Sequence, residues 1–331
     1  MNKIKFFRVR LFGKAFGVLL VWLLIGGKAL AQREPMYSQY MYNIGSFNAA
    51  YVGTVESADF TFLVRTQWMG FPGLNNTYRF GANIPLANGK NGIGFNIVSD
   101  KLGPTSQTML DAAYSFQVQL SETTYLSFGL EGGGTFLNTD LSQGTFENPG
   151  EPILNTQLVK SLYPTLGAGL FLYNSDWYLG LSAPNLLGDA QYNPEVAQIV
   201  ADNLQFNFIG GHVLKLSDNL KFKPAFLLNF MSGAPVTTNI SASFLMVEKF
   251  MIGTSYRFGS AISALFGLQL SSNFYAGYAY DYSANGLQGY NTGSHEIVLK
   301  LRSSASSNSA KRKDFGANKI KGKQIDSPRF F

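Results

Sequence analysis

Residues 261–281 carry the pattern on which the rest of the chain is built. Ile262, Ala264, Phe266, Leu268 and Leu270 alternate with Ser263, Leu265, Gly267, Gln269 and Ser271. After Ser272-Asn273, Phe274, Ala276, Tyr278 and Tyr280 alternate with Tyr275, Gly277, Ala279 and Asp281. Side chains on a strand point to opposite faces in turn, so this stretch predicts a hairpin with one apolar face and one small or polar face. Similar aromatic-edged units recur along the chain, and roughly 9–11 residues is the length with which a tilted strand crosses a bilayer. The repetition predicts an all-β fold, a transmembrane antiparallel β-barrel of about 14 strands.

The alternation places strands near residues 58–68, 76–86, 92–99, 107–119, 124–137, 161–173, 177–182, 205–216, 220–231, 236–246, 250–258, 261–271, 274–282 and 293–302. An even number of strands returns the chain to the side on which it started, which predicts that both termini are periplasmic. Every second connection is tight: Ala87-Asn88-Gly89-Lys90, Ser121-Glu122, Asn174-Ser175-Asp176, Ser217-Asp218-Asn219, Glu248-Lys249 and Ser272-Asn273. These are residues that tolerate turn geometry. The remaining connections are mostly longer, at 70–75, 100–106, 138–160, 183–204 and 283–292. Short periplasmic turns opposite long external loops are the habit of bacterial barrels.

Both ends depart from this pattern. Lys3, Lys5, Arg8, Arg10 and Lys14 precede an apolar run over 15–27 and then Ala29-Leu30-Ala31. That order predicts a secretory signal peptide, residues 1–31, cleaved before Gln32. Residues 32–56 form an N-terminal segment rich in Tyr and Asn without clean alternation. Tyr37, Tyr40, Tyr42 and Tyr51 are expected to fill the barrel lumen in the manner of a plug. The barrel occupies 57–302. Residues 303–331 are a low-complexity and then basic tail, expected to be disordered in the periplasm.

Charge changes the picture once it is divided. Six of the 26 Lys and Arg, and none of the 20 Asp and Glu, lie in the first 31 residues. From Arg302 onward there are eight basic and two acidic residues, so the body between is net acidic. The overall pI of 9.2 thus reports the two ends, and nothing points to nucleic acid. The absence of cysteine excludes disulfides, thiolate metal sites and cysteine nucleophiles.

Catalytic chemistry finds no foothold. His212 and His295 are far apart, and His295-Glu296 places neighbouring side chains on opposite faces, so the two cannot pair simply. Glu131-Gly132-Gly133-Gly134 is followed by neither a P-loop lysine nor a helix; it marks a bend or a close backbone approach. Asp100, Asp140, Glu147 and Glu151 fall in predicted external loops but fit no calcium-loop spacing. No enzyme activity, cofactor or metal is therefore expected. The long loops are more informative. Pro149, Glu151, Pro152, Pro184, Asn185 and Pro194 stiffen them, and Leu186, Leu187 and Val196 give them apolar grip. Loops of that length in a compact fold are usually functional or disordered; read as functional, they make Leu186, Leu187, Val196, Glu147 and Glu151 candidate partner-binding residues.

The residues also carry a resemblance. Tyr37-Ser38-Gln39-Tyr40-Met41-Tyr42-Asn43 and Asn48-Ala49-Ala50-Tyr51-Val52-Gly53 resemble the mature N-terminus of the PorP/SprF family of Bacteroidetes. The likeness continues through Arg65-Thr66-Gln67-Trp68-Met69-Gly70, Gly92-Ile93-Gly94-Phe95, Asp100-Lys101-Leu102-Gly103-Pro104-Thr105 and Gly293-Ser294-His295-Glu296-Ile297. It spans nearly the whole mature chain in order. Two features depart from the family: Ala49 stands where its members carry a proline, and the chain continues past the last strand. The resemblance implies an outer-membrane barrel of the type IX secretion system that binds, retains or helps export a secreted adhesin, with gliding motility in some members. The implied partners are the adhesin or its C-terminal region, other type IX components and outer-membrane lipid. A channel or transporter for small or hydrophobic molecules is the alternative. The predicted inward faces argue against it, since they offer mainly Ser, Gly, Asn and scattered Tyr where transport calls for charged rings or an apolar groove.

Overall fold

A computed structural model of the chain describes residues 36–70, 75–87, 89–140, 158–187, 204–231, 234–286 and 289–303. The predicted signal peptide and all but the first residue of the tail lie outside the described residues, as do Glu147, Glu151 and Val196. What is described is a closed 14-strand antiparallel barrel. Its wall comprises β1 (Asp59–Gln67), β2 (Asn75–Pro85), β3 (Asn91–Leu102), β4 (Thr105–Gln119), β5 (Tyr125–Asp140), β6 (Leu158–Tyr173), β7 (Trp177–Ala183) and β8 (Gln205–His212). It continues with β9 (Leu214–Ser217), β10 (Leu220–Met231), β11 (Thr237–Met246), β12 (Phe250–Arg257), β13 (Ala261–Ser271), β14 (Phe274–Ser283) and β15 (Ser294–Arg302). Strands adjacent in sequence pair throughout, except that β8 and β9 both pair with β10, and β1 closes the ring on β15.

Fifteen labels describe fourteen staves because β8 and β9 share one position beside β10. The alternation predicted a single strand over 205–216. It is interrupted at Val213, whose N–H still continues the β7–β8 register by donating to the Asp176 carbonyl at 2.7 Å. On the other side the break faces Pro224 and Lys223 of β10, and Pro224 has no N–H to give the ladder. A second correction concerns the connection predicted over 100–106. Here β3 and β4 run on to a two-residue turn at Gly103-Pro104, made possible by Gly103 at φ +57. Asp100 accordingly sits on β3, accepting from Thr77 Oγ1 at 2.5 Å. The loop predicted over 138–160 is likewise shorter, because β5 reaches Asp140 and β6 begins at Leu158.

The register follows the alternation. Phe62, Phe95, Ile97, Leu130, Leu162, Ile252, Phe266 and Ile297 are large apolar side chains left exposed on the outer face. Such a continuous apolar girdle suits lipid and would be a liability in water. On β13 and β14, Phe266 and Tyr278 point outward while Leu265 and Asp281 are buried inside.

The interior is where the main difference from expectation lies. Besides Ser, Gly, Asn and Tyr, the inward face carries Asp59, Arg65, Arg79, Glu131, Lys223, Arg257, Asp281, Glu296 and Lys300, all buried. A charged residue at an inward position looks like any other polar residue in a period-two pattern, so the alternation does not reveal how many charges the barrel encloses. Nor is the lumen open to receive them. Residues 36–57 cross it through three 3₁₀ turns, Tyr40–Tyr42, Ile44–Ser46 and Ala49–Tyr51, before the chain enters β1.

Candidate functional site

The charged residues find their partners on that luminal segment. Arg65, Asp281 and Glu296 occupy inward positions on β1, β14 and β15, near the end of the barrel bearing the long connections. Arg65 and Glu296 are direct partners across the β1–β15 pairing. Arg65 Nη2 lies 2.7 Å from Asp281 Oδ2, and Nη1 lies 3.1 Å from Glu296 Oε2. The carboxylates then reach the segment. Glu296 accepts the backbone N–H groups of Ser38 at 2.9 Å and Gln39 at 2.8 Å, and Asp281 accepts from Ser38 Oγ at 2.6 Å. Arg65 Nη1 also donates to Ser38 Oγ at 3.0 Å. Ions removed from water are stable only when paired and hydrogen-bonded, and this clamp does both at once.

From the clamp the segment is tied around the wall. Tyr40 shares a 2.8 Å hydrogen bond with Ser241 on β11. Tyr42 stacks on Tyr275 of β14 with ring centroids 4.7 Å apart, and accepts from its hydroxyl at 2.5 Å. Burial pushes the Tyr40 and Tyr42 phenols above the ordinary tyrosine range, so both stay protonated. Arg79 on β2 donates to Asn43 Oδ1 at 2.9 Å and to Asn96 Oδ1 on β3 at 2.8 Å. Ser182 Oγ on β7 donates to the Phe47 carbonyl at 2.5 Å. Gln117 Nε2 on β4 donates to the Gly53 carbonyl at 2.7 Å, and Asn83 Oδ1 on β2 accepts the Gly53 N–H at 2.6 Å.

Glycines in the wall let the segment lie this close. A Cβ on Gly129 would stand 2.1 Å from the Ala50 nitrogen, and one on Gly92 would stand 2.3 Å from Gly53 Cα. At the third turn, Asn48 Oδ1 accepts the Ala50 N–H at 2.9 Å and caps Ala49–Tyr51.

The four predicted luminal tyrosines, Tyr37, Tyr40, Tyr42 and Tyr51, are all buried inside the barrel. Strand parity puts the start of β1 and the end of β15 together at the short-turn end, where Ser303 N donates to the Ala58 carbonyl at 2.8 Å. Parity says nothing of the segment before β1: Ser38 and Gln39 sit at the opposite end, at the level of Glu296. Of the candidate partner-binding residues, Leu186 and Leu187 are exposed at the start of the longest connection, with Leu186 N held by the Leu166 carbonyl at 2.7 Å. The described residues do not bring them together with a second candidate site.

The histidines stay apart. His212 is exposed at the end of β8, and His295 faces outward with Nδ1 2.7 Å from Tyr278 Oη, while its neighbour Glu296 faces inward. No cluster of three or more metal-ligating side chains occurs among the described residues. The clamp escaped sequence reasoning because its members are 216 and 231 positions apart. The available signal was an arginine and two carboxylates at inward positions of the first strand and the last two.

Fold and lumen together define an outer-membrane β-barrel whose interior is occupied by its own N-terminal segment. The chain belongs to the PorP/SprF family of type IX secretion system membrane proteins, whose profile matches residues 29–301. No curated protein sequence matches it. Among solved structures, the CymD monoaromatic hydrocarbon channel is similar at 11% identity and a TM-score of 0.43, over 84% of this chain and 95% of that one. The NanC porin is similar at 8% identity and a TM-score of 0.41, over 75% and 100% of the two chains. A Pseudomonas aeruginosa FadL homologue is similar at 12% identity and a TM-score of 0.38, over 82% and 95%.

Proposed function

We propose that this barrel serves type IX secretion as a closed outer-membrane anchor, binding and retaining the C-terminal region of one secreted adhesin at its long-loop face. The observation that carries the reading is the occupied lumen. A pore for solutes keeps its charged side chains facing the water path; here Arg65, Asp281, Glu296 and Arg79 are engaged by the protein's own N-terminal segment. A barrel that spends its interior in this way has its loops left for recognition. Residues 36–57 act as the plug, the signal peptide spans 1–31, and the basic tail after Arg302 contacts an acidic partner or anionic surface in the periplasm. The short turns face the periplasm and the long loops the exterior.

The exposed pair Leu186 and Leu187, beside Asn185 and Pro184, supports a loop surface with an apolar centre and a polar rim, which is how specific interfaces are built. Replacing residues 184–204 with a short Gly-Ser turn tests it. The barrel should still insert, and the adhesin should be released or trapped. Display that survives loss of this loop and of 141–157, with the barrel folded, overturns the binding claim.

A further inference from the structure

One corner of the lumen has unfilled valences that the luminal segment does not use. Arg257 is the last residue of β12, inward-facing and 8% exposed. Its Nε donates to Asn239 Oδ1 on β11 at 2.8 Å. Its two Nη groups have no hydrogen-bond partner among the described residues. Tyr40 lies close by on the luminal segment; Arg65, Asp281 and Glu296 are within electrostatic reach but make no direct contact with it. Arg65 instead takes one oxygen of each carboxylate, Asp281 Oδ2 and Glu296 Oε2.

Asn239 is the cross-strand partner of Arg257, and on the next two strands round the wall, at the same end of the barrel, lie more inward amides. Asn207 Oδ1 on β8 accepts from Asn229 Nδ2 on β10 at 2.7 Å and from Gln205 Nε2 at 3.3 Å. These bonds fix which way the Asn207 amide faces, as the Arg257 bond does for Asn239. Both amides are thereby left with a buried Nδ2 that has no partner, on side chains 2% and 1% exposed. The unfilled donors in this corner are the two Nη groups of Arg257 and the two Nδ2 groups; an unfilled acceptor, Asp281 Oδ1, lies within electrostatic reach of Arg257 but makes no hydrogen bond to it. Buried donors without acceptors are costly, and a guanidinium fork matches the two oxygens of a carboxylate.

We infer that Arg257, Asn239 and Asn207 form a carboxylate-binding site at the long-loop end of the lumen, taking a peptide whose carboxylate lies on Arg257 and whose carbonyl oxygens lie on the two amides. This deepens the reading of the loop face as the receiver of a secreted chain, and rests on it. The carboxylate comes from a chain end or from an Asp or Glu side chain, and the chemistry at Arg257 is the same for both.

The test uses the full chain purified in detergent and a random pentapeptide library on beads, offered as free acids and as C-terminal amides. Free acids should be retained at least tenfold over amides. Arg257→Gln should abolish that retention, and Arg257→Lys should restore part of it. Retention of Asp- or Glu-containing amides that also depends on Arg257 assigns the side-chain source and upholds the site. Retention indifferent to Arg257→Gln, or no retention of any peptide, overturns it. Heat-modifiable migration on gels controls for folding. If Arg257→Gln does not fold, Asn239→Ala takes its place and should lower retention severalfold; unchanged retention there also overturns the site. Adhesin display on cells is scored separately: display that survives a folded Arg257→Gln removes this site and leaves the loop reading standing.

Discussion

Arg65 and Glu296 face each other across the β1–β15 pairing, the place where the first and last strands join, and Glu296 simultaneously holds the backbone of Ser38 and Gln39. Closing the barrel and seating its N-terminal segment therefore complete the same buried cluster.

Removing the cation from this cluster is the most direct challenge to it. Arg65→Met leaves two carboxylates buried without their partner, which should cost about 3–5 kcal/mol. Thermal unfolding followed by heat-modifiable migration should show the loss. Replacing Arg65, Asp281 and Glu296 together with apolar residues of similar volume should recover much of it, and failure of that triple variant to exceed Arg65→Met would contradict the account.

Gly129→Val separates the segment from the wall. A branched side chain suits a strand, but its Cβ would begin 2.1 Å from the Ala50 nitrogen. The barrel should still assemble, while planar-bilayer recordings should show conductance that the parent protein lacks. A silent Gly129→Val barrel would mean that the segment moves aside without opening a path.

Deletion of residues 36–53 carries the same idea to its limit. A fourteen-stranded wall encloses more space than its own side chains fill. The shortened protein should conduct ions steadily, and an unchanged conductance would remove the plug reading altogether.

Outward and inward positions on β13 should differ sharply in their tolerance of charge. Phe266 is on the lipid face, whereas Gln269 faces inward and donates to the Ser271 carbonyl at 2.7 Å. A lysine facing lipid near mid-membrane costs roughly 2–4 kcal/mol. Phe266→Lys should therefore impair assembly in outer-membrane fractions far more than Gln269→Lys. Equal tolerance would place the register one residue off, which inverts every side chain.

Topology can be read on intact cells. Tags inserted in residues 141–157 and 184–204 should be labelled from outside, and a tag after Phe331 should not. Surface labelling of the C-terminal tag would reverse the assigned orientation.

Much of this protein is legible in its sequence because period-two alternation is a local property. Ile262, Ala264, Phe266 and Leu268 must all face one way, and lipid outside the barrel demands that they be apolar. Strand positions, the inward aim of Asp281 and Glu296, and the outward aim of His295 follow from that rule alone. The tight turn at Gly103-Pro104 and the break at Val213 did not follow. The first depends on a positive φ at Gly103 and the second on which residues the register sets opposite Pro224, and neither changes the hydrophobic pattern. The contents of the lumen were beyond any local rule. Arg65 meets Asp281 and Glu296 only because the ring closes, and Ser38 meets them only because a segment without periodicity folds back inside. Alternation tells a residue which way to face; only the closed barrel decides what it faces.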